Sequence, residues 1–432
     1  VNAYLEEDCT IVYCVFSSIV LAYIMYIIEL EVGRLKQTKL WTKDFIIMFF
    51  TSFFIALVYF LLVTTMAVYA IQQFKASESM AGLAASIFVI GAVFARFFTG
   101  RYLDTIGRKK VLLVGVLLFF VPTLLYFTIT NMYLLLLVRF IHGAAFGIST
   151  TALATIVIDV IPKERRGEGI SYFFLNHTLA TSIGPFLGLF LNQHASFSMI
   201  FIVCTLLSSV SLFLPLFLRI PRSVMTEEQR NSLKGFKLSN YFEKKAIPMS
   251  LMIAIMGFVY SGVLAFMTPY ATEINLLEAA SFFFLVYSIV LLFSRPITGK
   301  LLDKKGDNFV VYPSIISYAL GLLILSQSHN SLTFLLSSVF IALGFGTMQS
   351  CFQAIAIKES PKHRVGLATS TFLICCDFGV GFGPFLLGTI IPTLGFRGLY
   401  LALAIVLFLC IFLYFFLHGK KAATQKSYSQ AS

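Results

Sequence analysis

The sequence predicts an all-α polytopic membrane protein made of two parallel six-helix bundles around a central cavity. Three observations carry this reading. The chain is too apolar for a water-soluble core, its apolar runs fall into two blocks of six, and the second block repeats the first at a constant displacement.

Composition comes first. Of 432 residues, 58% are hydrophobic, 12% are charged and 47 are Phe, more apolar surface than one soluble core can hide. A helix crosses the hydrocarbon layer with roughly 20 apolar residues, and a helix plus short loop takes about 35, so a chain of this length holds around twelve spans. Spanning strands would show alternation over about ten residues, whereas 111–127 and 400–417 are nearly unbroken apolar runs. The net charge of +12 sits in short breaks between those runs, without interleaved base-stacking aromatics, which argues for membrane orientation and against nucleic acid. Seven scattered Cys form no CxxC pair or metal-ligand spacing. No HExxH, paired intramembrane Asp or phosphate-binding GxxxxGK[ST] occurs, so the sequence argues against an enzyme or direct ATP use and calls for no cofactor or metal.

The spans follow in order. Apolar runs near 45–70, 81–100, 111–129, 133–158, 169–191 and 197–218 make the first bundle, placed at 41–219. A polar stretch at 220–245 is the cytoplasmic linker. Runs near 246–270, 280–299, 309–328, 331–357, 366–391 and 396–417 make the second bundle, at 246–417, before a cytoplasmic tail at 418–432. If alternate connections share a side, one side holds 27 of the 32 Lys and Arg, the other only Lys75 and Arg397, and Arg96, Arg139 and Arg295 lie in or beside the membrane. Cationic loops resist translocation, so both ends of the twelve-helix body are cytoplasmic. The extension at 1–40 contains a further apolar run, Ile11 to Ile28, read as a thirteenth helix, a signal-like anchor or translated upstream sequence.

A shift of 199 residues lays Arg96 on Arg295, Gly100 on Gly299, Asp104 on Asp303 and Gly107 on Gly306. The same register pairs Phe146 and Gly147 with Phe345 and Gly346, then Gly184 and Pro185 with Gly383 and Pro384. Because six is even, both copies enter the membrane in one direction, which makes them parallel repeats enclosing a cavity.

The loop after the second run reads Gly100-Arg-Tyr-Leu-Asp104-Thr-Ile-Gly107-Arg108-Lys109-Lys110. A carboxylate such as Asp104 or Asp303 at a helix end can pair with a cation or sit by the positive N-terminus of a neighbouring helix, an interaction of about 0.3–2 kcal/mol that latches one conformation. For Arg108, Lys109 and Lys110 a plain topology signal is an equal reading. This loop, with its echo at Gly299-Lys-Leu-Leu-Asp303-Lys-Lys-Gly306, resembles the G-x-x-x-D-R-x-G-R-R/K motif of the major facilitator superfamily, with Thr105 where Arg is usual. The resemblance covers nearly everything from Trp41 to Leu417 and implies the major facilitator fold with transport by alternating access.

Two further motifs follow from the same resemblance. Arg139-Phe-Ile-His142-Gly143 is similar to an R-x-x-x-G element of proton-coupled members, and Ala180, Gly184, Pro185 and Gly188 are similar to the exporters' Gly-Pro motif, echoed by Gly383 and Pro384. Arg139 lies about 9 Å below its helix end at about 1.5 Å per residue and needs a partner or water. His142 beside it either exchanges a proton or is a neutral, hydrogen-bonded core residue. The spacing-four small residues make a smooth face, expected to serve as a sliding interface between the halves.

Asp377 stands in the middle of an apolar run and is the repeat counterpart of Thr178, next to His177. An acid at that depth either carries a proton across or makes a static hydrogen bond. With Arg139, His142 and His177 it forms the expected proton-coupling set. Polar handles expected along the cavity, on the family plan, are Tyr59, Thr64, Tyr69, Tyr260, Tyr270, Gln349 and Gln353. The expected function is proton-coupled efflux of a small amphipathic solute, whether drug-like compound, metallophore or sugar, by a monomeric multi-pass protein of a bacterial cytoplasmic membrane. The alternative is a facilitator or proton symporter importing a small solute on the same fold.

Overall fold

The computed structural model describes residues 39–76, 78–220 and 241–423. The apolar run at Ile11 to Ile28, most of the linker and the end of the tail lie outside the described residues. Among those described, twelve helices are long and apolar enough to cross a membrane.

The first half contains α1 (Lys43–Phe74), α2 (Glu78–Ile106), α3 (Arg108–Leu125), α4 (Met132–Val160), α5 (Arg166–His194) and α6 (Phe197–Phe213). The second contains α7 (Ile247–Glu273), α8 (Leu277–Lys305) and α9 (Asp307–Ser326). Next comes α10, built from Ser331–Ile341, a π-helical turn Ala342–Gly346 and Thr347–Glu359. The last stretch, Val365–Tyr414, is hydrogen-bonded throughout, but Gly395 (φ 66°, ψ 174°) breaks it into α11 (365–394) and α12 (396–414).

Local chemistry repeats with the sequence. Asn131 caps α4 by accepting from Leu134 N at 2.9 Å, and Asn330 caps α10 by accepting from Thr333 N at the same distance. Each such cap satisfies one of the orphan N–H groups that open a helix. Gly107 (φ 106°) and Gly306 (φ 89°) are the one-residue joints between α2 and α3 and between α8 and α9. A side chain is strained in that backbone region, which is why the turn motif carries Gly at both places.

Within the first half α2 lies on α4, α1 on α5, and α3 on α4 and α6; in the second, α8 and α9 pack on α10 and α7 on α11 and α12. Small residues permit the close crossings. A Cβ on Gly143 would strike the backbone of Phe88, and one on Gly147 the backbone of Ala92, both across the α2–α4 contact. The face of Ala180, Gly184 and Gly188, expected between the halves, packs within its own half in this structure. Gly184 abuts Phe60 and Leu61, Gly188 abuts Thr64 and Leu61, and Ala180 packs with Ala56 and Leu57, all on α1 of the same half. Gly383 likewise meets Ser261 and Phe258 on α7, while α5 continues through Pro185. Spacing four defines a face but not the neighbour, and the nearest partner in a bundle is the helix beside it.

The halves meet through α2 against α11 and α5 against α8. At the end that carries the turn motifs a Cβ on Gly100 would collide with Ser370, and one on Gly299 would come within 2.7 Å of Gly167, Glu168 and Ser171. Glycine at both positions lets the backbones close there.

Candidate functional site

Two aspartates fasten the end of the bundle that carries the turn motifs. Asp104 receives Arg108 Nε at 2.7 Å on one oxygen and the backbone N–H of Gly366, at the start of α11, at 3.2 Å on the other. Asp303, its repeat counterpart, receives Gly167 N at 2.7 Å and Glu168 N at 2.9 Å at the start of α5. Each aspartate therefore sits on the positive N-terminus of a helix in the opposite half. Lys300 of α8 adds an ion pair to Glu168 at 3.4 Å.

Behind these contacts, Arg108 also reaches Asp159 of α4 at 2.5 Å, while Thr105 is half-buried and donates to Tyr102 O. Arg108 thus takes up the charge network at this turn, and Lys109 donates to Leu218 O at 2.7 Å below α6. In the second half the signs are reversed. Asp307, at the position of Arg108, pairs with Lys358, at the position of Asp159, at 3.2 Å, and also meets His418 Nε2 at 2.9 Å.

Above the latches lies a cavity of about 280 Å³ between the halves. Two aromatic clusters face each other across it. Tyr59 stacks with Phe88 and Phe146 at 5.0 Å each, and Tyr260 stacks with Phe345 at 4.2 Å and Tyr287 at 5.6 Å. Phe88 and Phe146 are the repeat counterparts of Tyr287 and Phe345, whereas Tyr59 and Tyr260 are two residues out of that register. The wall includes Gln349 and Gln353 as well.

The cavity's charge is less symmetric. Arg96 on α2 places Nε 2.9 Å from Asp377 Oδ2 on α11, joining the two halves at the cavity wall. The Arg96 side chain is 4% exposed and Asp377 24%, so the carboxylate is the partner that cavity water reaches. Ser370, about two turns below Asp377 on α11, donates to Arg96 O. His177 lines the same wall with its ring edge-on to Phe60 at 5.1 Å. Arg295, the counterpart of Arg96, crosses to α5, donating to Phe174 O and to Gln349 Oε1 at 3.2 Å.

Other residues singled out from sequence lie elsewhere. Arg139 is fully buried inside the first half, with Nε on Ala84 O at 2.9 Å and its guanidinium 4.7 Å over the Phe88 ring. His142 shares Nδ1 with Tyr126 Oη at 3.0 Å and packs on Phe119 and on Phe88; Phe88 lines the cavity and His142 lies behind it. Thr64 donates to Leu61 O against Gly188, Tyr69 packs on Phe74, Phe197 and Phe201, and Tyr270 donates to Leu325 O at 2.7 Å; none of the three lines the cavity. Sequence reasoning noted Arg96 as half of a repeat but missed it as the partner of Asp377. Its counterpart relation to a second intramembrane Arg was the available signal.

The sequence model of the Major Facilitator Superfamily matches residues 48–384 and 314–431. The chain belongs to the major facilitator superfamily. It is therefore a secondary transporter with multiple membrane spans and not an enzyme. It is similar to an uncharacterised MFS-type transporter of Methanocaldococcus jannaschii, 25% identical over 365 residues covering 83% of this chain and 94% of the relative. It is also similar to the multidrug resistance protein MdtG of Dickeya zeae, 23% identical over 402 residues covering 90% and 98%. The crystal structure of the human organic anion transporter MFSD10 has the same fold, with a TM-score of 0.69 at 14% identity over 86% of this chain and 98% of that one.

Proposed function

We propose that this transporter exports a small amphipathic solute in exchange for protons, with Asp377 and Arg96 as the coupling pair. The observation that carries this reading is the ion pair itself, 2.9 Å long, placed in the cavity wall and spanning the two halves. Intramembrane charges are costly unless paired, so a change in one partner alters the stability of the arrangement that holds both.

A proton from the outer side neutralises Asp377 and leaves Arg96 without its acid. The α2–α11 contact then loses its central tie, the latches at Asp104 and Asp303 release, and the cavity opens to the cytoplasm. There the proton leaves and the solute enters. Re-ionised Asp377 draws Arg96 back, and the closed inner end returns with its cargo facing outward. A proton moving down the potential contributes about 2.3 kcal/mol per 100 mV. The exporter-like Ala180, Gly184, Pro185 and Gly188 motif and the similarity to a multidrug resistance protein support the outward direction.

Efflux from cells expressing the chain is screened against dyes, antibiotics, sugars and metal chelators, with and without a protonophore. The compound that responds is then followed in proteoliposomes. Asp377→Asn is expected to abolish accumulation driven by a pH gradient while retaining solute exchange without one. Gradient-driven accumulation at the wild-type rate in Asp377→Asn refutes the coupling role.

A further inference from the structure

We infer that the cavity selects organic anions, with Arg295 as the group that receives the solute's acid. The inference rests on the transport reading above and names the substrate class of that same cavity.

The ionisable wall residues, tyrosines and cysteines apart, are Arg96, Arg295, Asp377 and His177. Asp377 lies against Arg96, so one positive charge is answered within the protein. Arg295 has no such answer. The ionisable groups that interact with it are Tyr287, Tyr260, Cys351 and His177, none of them a carboxylate, and its hydrogen bonds go to the neutral Phe174 carbonyl and the Gln349 amide. Its Nε, like Nε and Nη1 of Arg96, is buried without a hydrogen-bond partner, but Arg96 has a carboxylate within 2.9 Å and Arg295 has none.

The repeat sharpens the point. The residue that stands to Arg295 as Asp377 stands to Arg96 is Thr178, a neutral side chain on the same cavity wall. One half supplies an acid for its arginine and the other does not. A buried guanidinium is stable only when paired or solvated, and its planar fork of donors fits a carboxylate, sulfonate or phosphate group. The missing partner is therefore assigned to the cargo. Beside Arg295, the Tyr260, Tyr287 and Phe345 rings provide the flat apolar surface for the rest of an amphipathic molecule. Arg295 also ties α8 to α5 through Phe174 O, so an anion competing for the guanidinium acts on an inter-half contact as well as filling a pocket.

Two xanthene dyes of similar size and opposite charge, fluorescein and rhodamine 123, test this by fluorescence anisotropy on the purified full chain in lipid nanodiscs at pH 7.5. Fluorescein is expected to bind at least tenfold more tightly than rhodamine 123. Arg295→Gln is expected to weaken fluorescein binding at least tenfold without weakening rhodamine 123, and Arg295→Lys to retain most of the preference. The idea is overturned if wild-type protein binds fluorescein no better than rhodamine 123, a comparison that needs no variant, or if Arg295→Gln keeps wild-type affinity for fluorescein. The assay contains no proton gradient. Loss of the charge preference therefore leaves the Asp377 coupling experiment intact, and failure of coupling leaves the dye comparison intact.

Discussion

Asp303→Asn should populate the state open to the cytoplasm. Asp303 accepts two backbone N–H groups from Gly167 and Glu168, and an asparagine of the same shape keeps one acceptor while turning an NH2 toward the other donor. A hydrogen bond to a charged group contributes about 1.5–3 kcal/mol, and the carboxylate at a helix N-terminus a further 0.3–1 kcal/mol or so. Because Asp303 is partly solvent-exposed, the lower ends apply, giving a loss of about 2 kcal/mol from the closed inner end. About 1.4 kcal/mol is tenfold in an equilibrium, so the open population should rise between about 10- and 30-fold. Ser171 reports on it well, since it is 1% exposed and lies against Gly299, just above the latch on its cavity side. With the seven native cysteines replaced, Ser171→Cys in inside-out vesicles is labelled by a membrane-impermeant thiol reagent, with and without Asp303→Asn. The labelling rate should rise by that factor. A rate within twofold of the parent refutes the claim that Asp303 holds the inner end shut.

Gly299→Val should block closure outright, because the new Cβ would lie 2.6 Å from Gly167 O and from Ser171 Oγ; transport disappears while size-exclusion chromatography still shows a folded monodisperse protein. Wild-type transport by that variant contradicts the close α5–α8 approach. The reversed ion pairs invite an exchange. Lys358→Asp sets two acids together at α9 and α10 and should lower the Tm, and adding Asp307→Arg, which rebuilds the Arg108–Asp159 arrangement, should recover part of the loss. Recovery stays incomplete because His418 then faces a guanidinium instead of a carboxylate. A double variant less stable than Lys358→Asp alone argues against the pair.

Much of this was legible in the chain because the repeat is written in residues whose physics is local. Gly107 and Gly306 declare a backbone conformation, Asn131 and Asn330 can cap the helices that follow them, and Asp104 and Asp303 sit in the same turn motif. Such signals are read within a few positions. Partners across the cavity are not. Nothing near Asp377 in sequence points to Arg96, since their meeting depends on how α11 lies against α2. The same applies to the small-residue face of α5, whose existence was plain and whose neighbour was not. Among the tyrosines, Tyr59 and Tyr260 line the cavity while Tyr69 and Tyr270, on the same helices, point into their own halves. A helix in a bundle offers polar groups all around, and only packing selects which ones meet the solute. The π-helical turn of α10, absent from its counterpart α4, had no compositional signal at all.

The crossed aspartates have one more implication. Each belongs to one bundle and grips the other, so the two fastenings act side by side on a single joint. When the bundles tilt as units both must let go in the same movement, and their strengths sum into one barrier. On the proposed export cycle, entry from the cytoplasm is then all-or-none, and a weakened fastening on either flank changes how often the passage opens without creating a half-open leak.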